Sequence, residues 1–241
     1  MKLALLSAGT FLLSFSAQAS SLSFDFTQGP SGFGSGNGNT RTFTSGGVTV
    51  TATAFSLTGN GGTTFTTSQL GEWANWGLGV CNRNEGTNCA SPNHQVSNEN
   101  GTDFVLFQFS AAVNPGIVTV HSFGGYDTDV TYYEGNVASG VNLNNALLAS
   151  LANLGFGAAI NNDGSPTSSP RPVTLANGGS INAILFGAQV GGDATPDYFK
   201  IAGLTASTVT TVTNPTPEPA TLALMGSALL LLAALGRRFR K

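Results

Sequence analysis

Turn-forming residues cut this chain into pieces too short for a helical fold. Gly supplies 32 of the 241 residues. It gathers with Asn and Ser at 31–39, Asn60-Gly61-Gly62, Asn161-Asn162-Asp163-Gly164 and Gly191-Gly192-Asp193, where a positive φ costs least. The runs between are strand-length: Ser21 to Phe26, Gly47 to Leu57, Asp103 to Phe109, Gly116 to Phe123, Asp129 to Glu134, Ile181 to Ala188 and Asp197 to Leu204. Val48, Val50, Ala52 and Ala54 alternate with Thr49, Thr51 and Thr53, the period of a strand with one wet face. Phe104-Val105-Leu106-Phe107 is apolar on both faces and suits a central strand. Only Asn142 to Phe156, with Leu143, Leu147, Leu148, Leu151 and Leu154, keeps a helical spacing. It reads as one short helix or as a strand pair broken at Gly155. The pattern predicts an all-β fold, an antiparallel β-sandwich of jelly-roll type over residues 20–213.

Charge narrows the partners. Only 9% of the chain is charged, against about 25% in an average soluble protein. Residues 20–216 hold four basic side chains (Arg41, Arg83, Arg171 and Lys200) against eleven acidic ones, a net −7. Such a surface repels a phosphate backbone, so no nucleic-acid partner is expected.

The two ends read as addresses. Residues 1–19 have the order of a signal peptide: Lys2, an apolar run from Leu3 to Phe15, then Ala17-Gln18-Ala19. The small-x-small pattern places cleavage after Ala19, with the Sec translocon and signal peptidase as the implied partners. Residues 214–241 begin with Asn214-Pro215-Thr216-Pro217-Glu218-Pro219, whose prolines hold the backbone extended. Residues 221–236 are apolar and are expected to form a transmembrane helix. At about 1.5 Å per residue it would reach about 24 Å, short of a ~30 Å hydrocarbon core unless the bilayer thins or the flanks snorkel. Arg237, Arg238, Arg240 and Lys241 form the basic stop-transfer cluster that stays on the cytoplasmic side.

A Pro-Glu-Pro segment, an apolar helix and an Arg-rich end, in that order, resemble the PEP-CTERM sorting signal of exosortase-processed bacterial proteins. The resemblance implies that an exosortase recognises Pro217, Glu218 and Pro219. It implies export through a Gram-negative inner membrane, a temporary anchor, then the cell surface or an extracellular matrix. The body is similar to exosortase-dependent surface proteins in several segments. These are Gly77-Leu78-Gly79-Val80, Ser91-Pro92-Asn93-His94 running on to Ser97-Asn98, Asp127-Thr128-Asp129, and Asp197-Tyr198-Phe199-Lys200. No activity attaches to that group as a whole.

The chemistry-bearing residues are few. Cys81 and Cys89 are the only cysteines, and in an exported protein the pair reads as a disulfide, with free thiols next and a metal pair last. His94 and His121 stand in no catalytic motif, and no G-x-S-x-G elbow occurs. Trp73 and Trp76, beside Glu72, read first as a core plug and second as a platform for sugar rings. Asp127 and Asp129 are the best metal candidates, since carboxylates at i and i+2 can chelate Ca²⁺; an Asp-stabilised turn is the competing reading. No other cofactor is expected. The expectation is a non-enzymatic, exported surface or matrix protein, structural or adhesive in a biofilm or exopolysaccharide. The alternatives are a Ca-assisted carbohydrate-binding module, an ice-binding protein built on the Thr49, Thr51, Thr53 row, and last a secreted hydrolase.

Overall fold

The alternation read in the Val48 run belongs to a strand, Val48–Gly59, that is paired on both sides. Val48, Val50, Ala52 and Ala54 are buried and the intervening threonines are half-buried. The computed structural model describes residues 19–209, apart from 30, 34–37, 87, 88, 90, 92, 166–169, 177 and 192–194, and residues 219–238. In chain order the strands are β1 (Ser21–Asp25), β2 (Thr40–Ser45), β3 (Val48–Gly59), β4 (Thr64–Thr67), β5 (Gln69–Trp73), β6 (Gly77–Cys81) and β7 (Val96–Ser97). They continue as β8 (Thr102–Ser122), β9 (Val130–Gly135), β10 (Ile160–Asn162), β11 (Arg171–Thr174), β12 (Ile181–Ala188) and β13 (Tyr198–Thr208). Every named strand pair is antiparallel.

One strand organises the rest. The first part of β8 lies between β3 (Ala52↔Phe107) and β12 (Ile184↔Phe107), and its second part lies between β13 (Leu204↔Val118) and β11 (Val173↔Val118). The sequence suggested two strands here, 103–109 and 116–123, separated at Pro115. The structure makes them one 21-residue strand. Pro115 sits where the pairing with β13 shifts register, and such irregularities are where a sheet tolerates a residue with no N–H. Because β8 runs through both parts, the sheet turns back on itself and encloses an apolar layer, which makes the fold β-sandwich-like.

Rings from the two halves meet inside: Phe26 stacks on Phe107 with centroids 5.4 Å apart, and Phe186 meets Phe199 at 6.3 Å. A second apolar cluster lies on the other face of β3, β8 and β12. It holds Phe55, Phe104, Leu106 and Leu185 under Leu143, Leu151 and Phe156. Two clusters explain why 104–107 is apolar on both sides: Val105 and Phe107 fill one, Phe104 and Leu106 the other. The cover over the second cluster is a 3₁₀ helix, Leu148–Leu154, ended by Gly155 at φ 99°. That resolves the helix-or-strands choice at 142–156 in favour of a short helix, because only a residue without a Cβ turns the chain left-handed there at no strain.

The chain is tied from its start. Ser20 donates its N–H to Thr208 Oγ1 and accepts from the Thr208 N–H, and Ala19 opens the compact β unit that ends at Val209. Residues 1–18 of the expected signal peptide, Ala17 among them, lie outside the described residues. A separate helix, α1 (Pro219–Arg238), follows. Pro219 begins it, the position a helix start favours for proline. Pro217, Glu218, Arg240 and Lys241 lie outside the described residues, and Arg237 and Arg238 belong to the last turn of α1. The helix expected over 221–236 is therefore there. Among the described residues no helix is long and apolar enough to cross a membrane.

Candidate functional site

Three polar clusters stand out in the β unit. The first is a pocket of about 260 Å³ lined in part by Trp73, Trp76, His94, His121, Ser122 and Lys200. Its floor is Lys200, on β13, 3% exposed. The Nζ atom donates to the His94 carbonyl at 2.6 Å, lies 2.9 Å from His94 Nδ1 and sits 3.4 Å over the Trp73 ring. Trp73 in turn stacks on the His94 ring, centroids 4.6 Å apart, and takes the edge of Phe33. Gly79 of β6 makes this possible: a Cβ there would run into the His94 carbonyl and Lys200 Nζ. Burial pushes the Lys200 ammonium well below the ordinary lysine range, and the electron-rich Trp73 face works against that loss of charge. Burial, then the Lys200 charge, pushes His94 down to about 4, so the imidazole is neutral at pH 7. Burial also lowers His121.

The second cluster joins Asp127 and Asp129 to a third carboxylate, Asp197, at the start of β13. One oxygen from each lies within 4.8 Å of the others, and all three residues are buried. Asp197 Oδ1 accepts the Asp129 N–H at 2.9 Å, and Asp197 Oδ2 accepts from Gln189 N–H at 3.1 Å and Asn98 Nδ2 at 2.5 Å. Asn98 Oδ1 completes the clamp by accepting the Asp197 N–H. Burial first, then the Asp129 and Asp127 charges, pushes Asp197 up to about 7. The sequence suggested that the acidic pair lacks basic company. The structure brings Arg171 to it: Nη1 donates to the Thr128 carbonyl at 2.7 Å, and burial lowers the guanidinium while the nearby carboxylates, Asp129 first, oppose that lowering. The three carboxylates are the hard oxygen set that a Ca²⁺ ion takes.

The third cluster surrounds the Cys81–Cys89 disulfide, whose Cα atoms are 5.9 Å apart. The pairing is the one expected. Asp103, fully buried, accepts from Ser56 Oγ at 2.5 Å, Asn82 Nδ2 at 2.9 Å and the Ser97 N–H at 3.2 Å. Glu85 Oε2 accepts the Asn82 N–H at 2.8 Å, while Glu85 Oε1 and Ser97 Oγ are buried without a hydrogen-bond partner among the described residues. Burial raises both carboxyls, and the nearby Asp103 charge raises Glu85 further. The sulfurs are bonded to each other, so Glu85 has no thiolate neighbours with which to hold a metal.

Four sequence segments thus meet in two places. Gly79, His94 and Lys200 build the pocket, and Asp127, Asp129, Asn98 and Asp197 build the acidic cluster. Trp73 and Trp76 both line the pocket, Trp73 half-buried and Trp76 53% exposed. Sequence reasoning noted Asp197 and Lys200 only within the Asp197-Tyr198-Phe199-Lys200 segment and gave neither a place in a site. The one available signal was that Asp197-Tyr198-Phe199-Lys200 puts two charges into an otherwise apolar strand.

An all-β, antiparallel, disulfide-bonded unit followed by a short helix is the class of molecule these observations define. Residues 215–241 match the family of the PEP-CTERM protein-sorting motif, so the chain carries this motif, and the motif implies exosortase-dependent export. No curated protein and no solved structure matches the chain.

Proposed function

We propose that the protein is a non-enzymatic component of the cell surface or extracellular polysaccharide matrix, delivered by exosortase after a transient stay in the inner membrane. The observation that carries this reading is the sorting motif at 215–241 behind a separate β unit, Ala19–Val209. The first half of the chain of events is export by the Sec translocon and removal of residues 1–19 by signal peptidase. The second is recognition of Pro217, Glu218 and Pro219, with α1 as the temporary anchor and Arg237, Arg238, Arg240 and Lys241 as its cytoplasmic stop. The β unit then works by contact, as a structural or adhesive, jelly-roll-like module. The non-enzymatic reading rests on the imidazoles. Among the described residues neither His94 nor His121 hydrogen-bonds a Ser, Thr or Cys that it could activate. The test is fractionation of cells that carry an exosortase. The unaltered chain is expected in the matrix extract, and a chain with Pro217, Glu218 and Pro219 all changed to Ala is expected to stay in the inner membrane. Equal surface delivery of the two would overturn the proposal.

A second reading, ice binding, is favoured by one observation. Thr40, Thr42 and Thr44 of β2 stand opposite Thr53, Thr51 and Thr49 of β3, so two threonine rows lie in register where the sequence showed one. Two of the pairs are in hydroxyl contact, Thr44–Thr49 at 3.0 Å and Thr40–Thr53 at 3.3 Å. Strands about 4.8 Å apart make this a small regular array. Thermal hysteresis lost in Thr42→Lys/Thr51→Lys would support it, and none in the unaltered chain would end it.

A further inference from the structure

We propose that the pocket over Lys200 binds a single acidic sugar residue, a hexuronate at the end of a chain, with the carboxylate towards Lys200 and the ring on Trp76. The inference deepens the matrix reading above and rests on it for the class of polymer. Four observations point to this ligand.

First, the pocket has one sign of charge. Among the described lining residues Lys200 is the only lysine or arginine, the other ionisable groups are His94 and His121, and none is a carboxylate. Among the described residues Lys200 has no acidic partner; its polar contacts are the carbonyl and Nδ1 of His94, with the Trp73 ring beneath. A buried ammonium held only by neutral groups is stabilised by any anion that reaches it, more strongly than at a wet surface. The incoming carboxylate restores the charged form that burial disfavours.

Second, the polar atoms left over suit hydroxyls. His121 stands directly opposite Lys200 across β8 and β13, so both side chains leave the same face of the sheet. It makes an edge contact with Trp76, centroids 5.9 Å apart, and has no hydrogen-bond partner among the described residues. Ser122 follows it at the same wall.

Third, the aromatic platform is exposed and fixed. Trp76 closes the turn between β5 and β6 with its N–H on the Trp73 carbonyl at 3.0 Å, and the preceding Asn75, at φ 67°, donates its N–H to Thr27 at 2.9 Å. A pre-set ring loses little freedom when a sugar stacks on it. Trp73 is not that platform, because Lys200 and His94 already lie against its ring. Its part is to hold the cation in place.

Fourth, about 260 Å³ lies below the ~300–1,000 Å³ of pockets that take drug-sized ligands and has room for one ring. The domain's net −7 opposes a long polyanion along the surface. One terminal acidic residue, with its charge buried against Lys200, meets both conditions.

Both tryptophans of the chain line this pocket, so intrinsic fluorescence of the full chain in detergent reports on it directly. The probes are glucuronate, glucose and acetate. Glucuronate is expected to give a saturable change at millimolar concentration, with glucose and acetate each at least tenfold weaker. An equal response to glucose would overturn the acidic class, an equal response to acetate would overturn the sugar ring, and no saturable change would overturn the site. By calorimetry, Trp76→Ala and His121→Ala, both outside the core, are expected to weaken glucuronate at least tenfold with the melting midpoint unchanged. Lys200→Met is expected to abolish it, and the Trp76 and His121 variants keep the test decisive if that chain fails to fold. Lost binding with matrix delivery intact removes the pocket alone, and lost delivery with glucuronate binding intact removes the matrix reading alone.

Discussion

Two carboxyls that the fold buries side by side give the protein a pH signature. Glu85 and Asp103 both hold their protons to higher pH than free side chains do, chiefly through burial, and Asp197 does so up to about 7. Through these three carboxyls the folded chain binds more protons than the unfolded one between roughly pH 4 and neutrality, an effect that the lowered His94 opposes in part. Stability from these groups is fully present below about pH 4 and is lost as pH rises through the folded values. The melting midpoint is expected to be higher at pH 5 than at pH 8. Glu85→Gln keeps an acceptor for the Asn82 N–H and offers a donor beside Ser97. It should flatten the slope and raise stability at pH 8 by about 1 kcal/mol, a few degrees for a domain of this size. An unchanged slope in thermal melts from pH 5 to 8 would count against the buried pair. None of this was legible in the sequence. Glu85 sits in a Gly/Asn-rich loop where acids are usually wet, and only the disulfide and the pairing of β6 draw it inside.

At the scale of elements, what could be read was what alternates or what is uniformly apolar. β3, the first part of β8, β12 and the start of β13 were legible because their faces are filled by Val, Ile, Leu and Phe. β6 was not. Gly77 and Gly79 look like turn residues, yet they lie inside a fully buried strand. The Ile201 carbonyl comes against Gly77, and the His94 carbonyl and Lys200 come against Gly79. The same holds for Asp197: the acidic pair at 127 and 129 could be read, but the third member arrives through an isolated parallel bridge between Asp127 and Asp197. If the three hold Ca²⁺, an ion binding only the folded state stabilises it by RT ln(1 + [L]/Kd), about 1.4 kcal/mol at 1 mM and a Kd near 10⁻⁴ M. The expected result is a midpoint a few degrees higher in calcium than in chelator for the full chain. The gap should be larger at pH 8 than at pH 6, where Asp197 must first lose a proton, and absent in Asp197→Asn. Equal midpoints in the unaltered chain would leave the three as turn residues, with Arg171 as their neutraliser.

The molecule as a whole is a closed β unit with a short helix and a basic end behind it, and the sequence showed that plan more clearly than any site. The sorting motif at 215–241 was legible because an address must be read by the export machinery as a linear pattern, whereas the pocket and the acidic cluster are assembled from segments up to about a hundred residues apart. Export also fixes the redox state. Cys81 and Cys89 in surface-extracted protein are expected to resist alkylation until reduced, and the crosslink over so short a loop should be worth about 2–3 kcal/mol. Labelling of both cysteines without reductant would contradict that.

The most direct test of exosortase-dependent sorting is the intact mass of protein taken from the cell surface. Removal of Met1 to Ala19 and of the helix beyond Pro219 is predicted, leaving a chain that starts at Ser20. A surface species that still contains Leu222 to Leu235 would contradict the account.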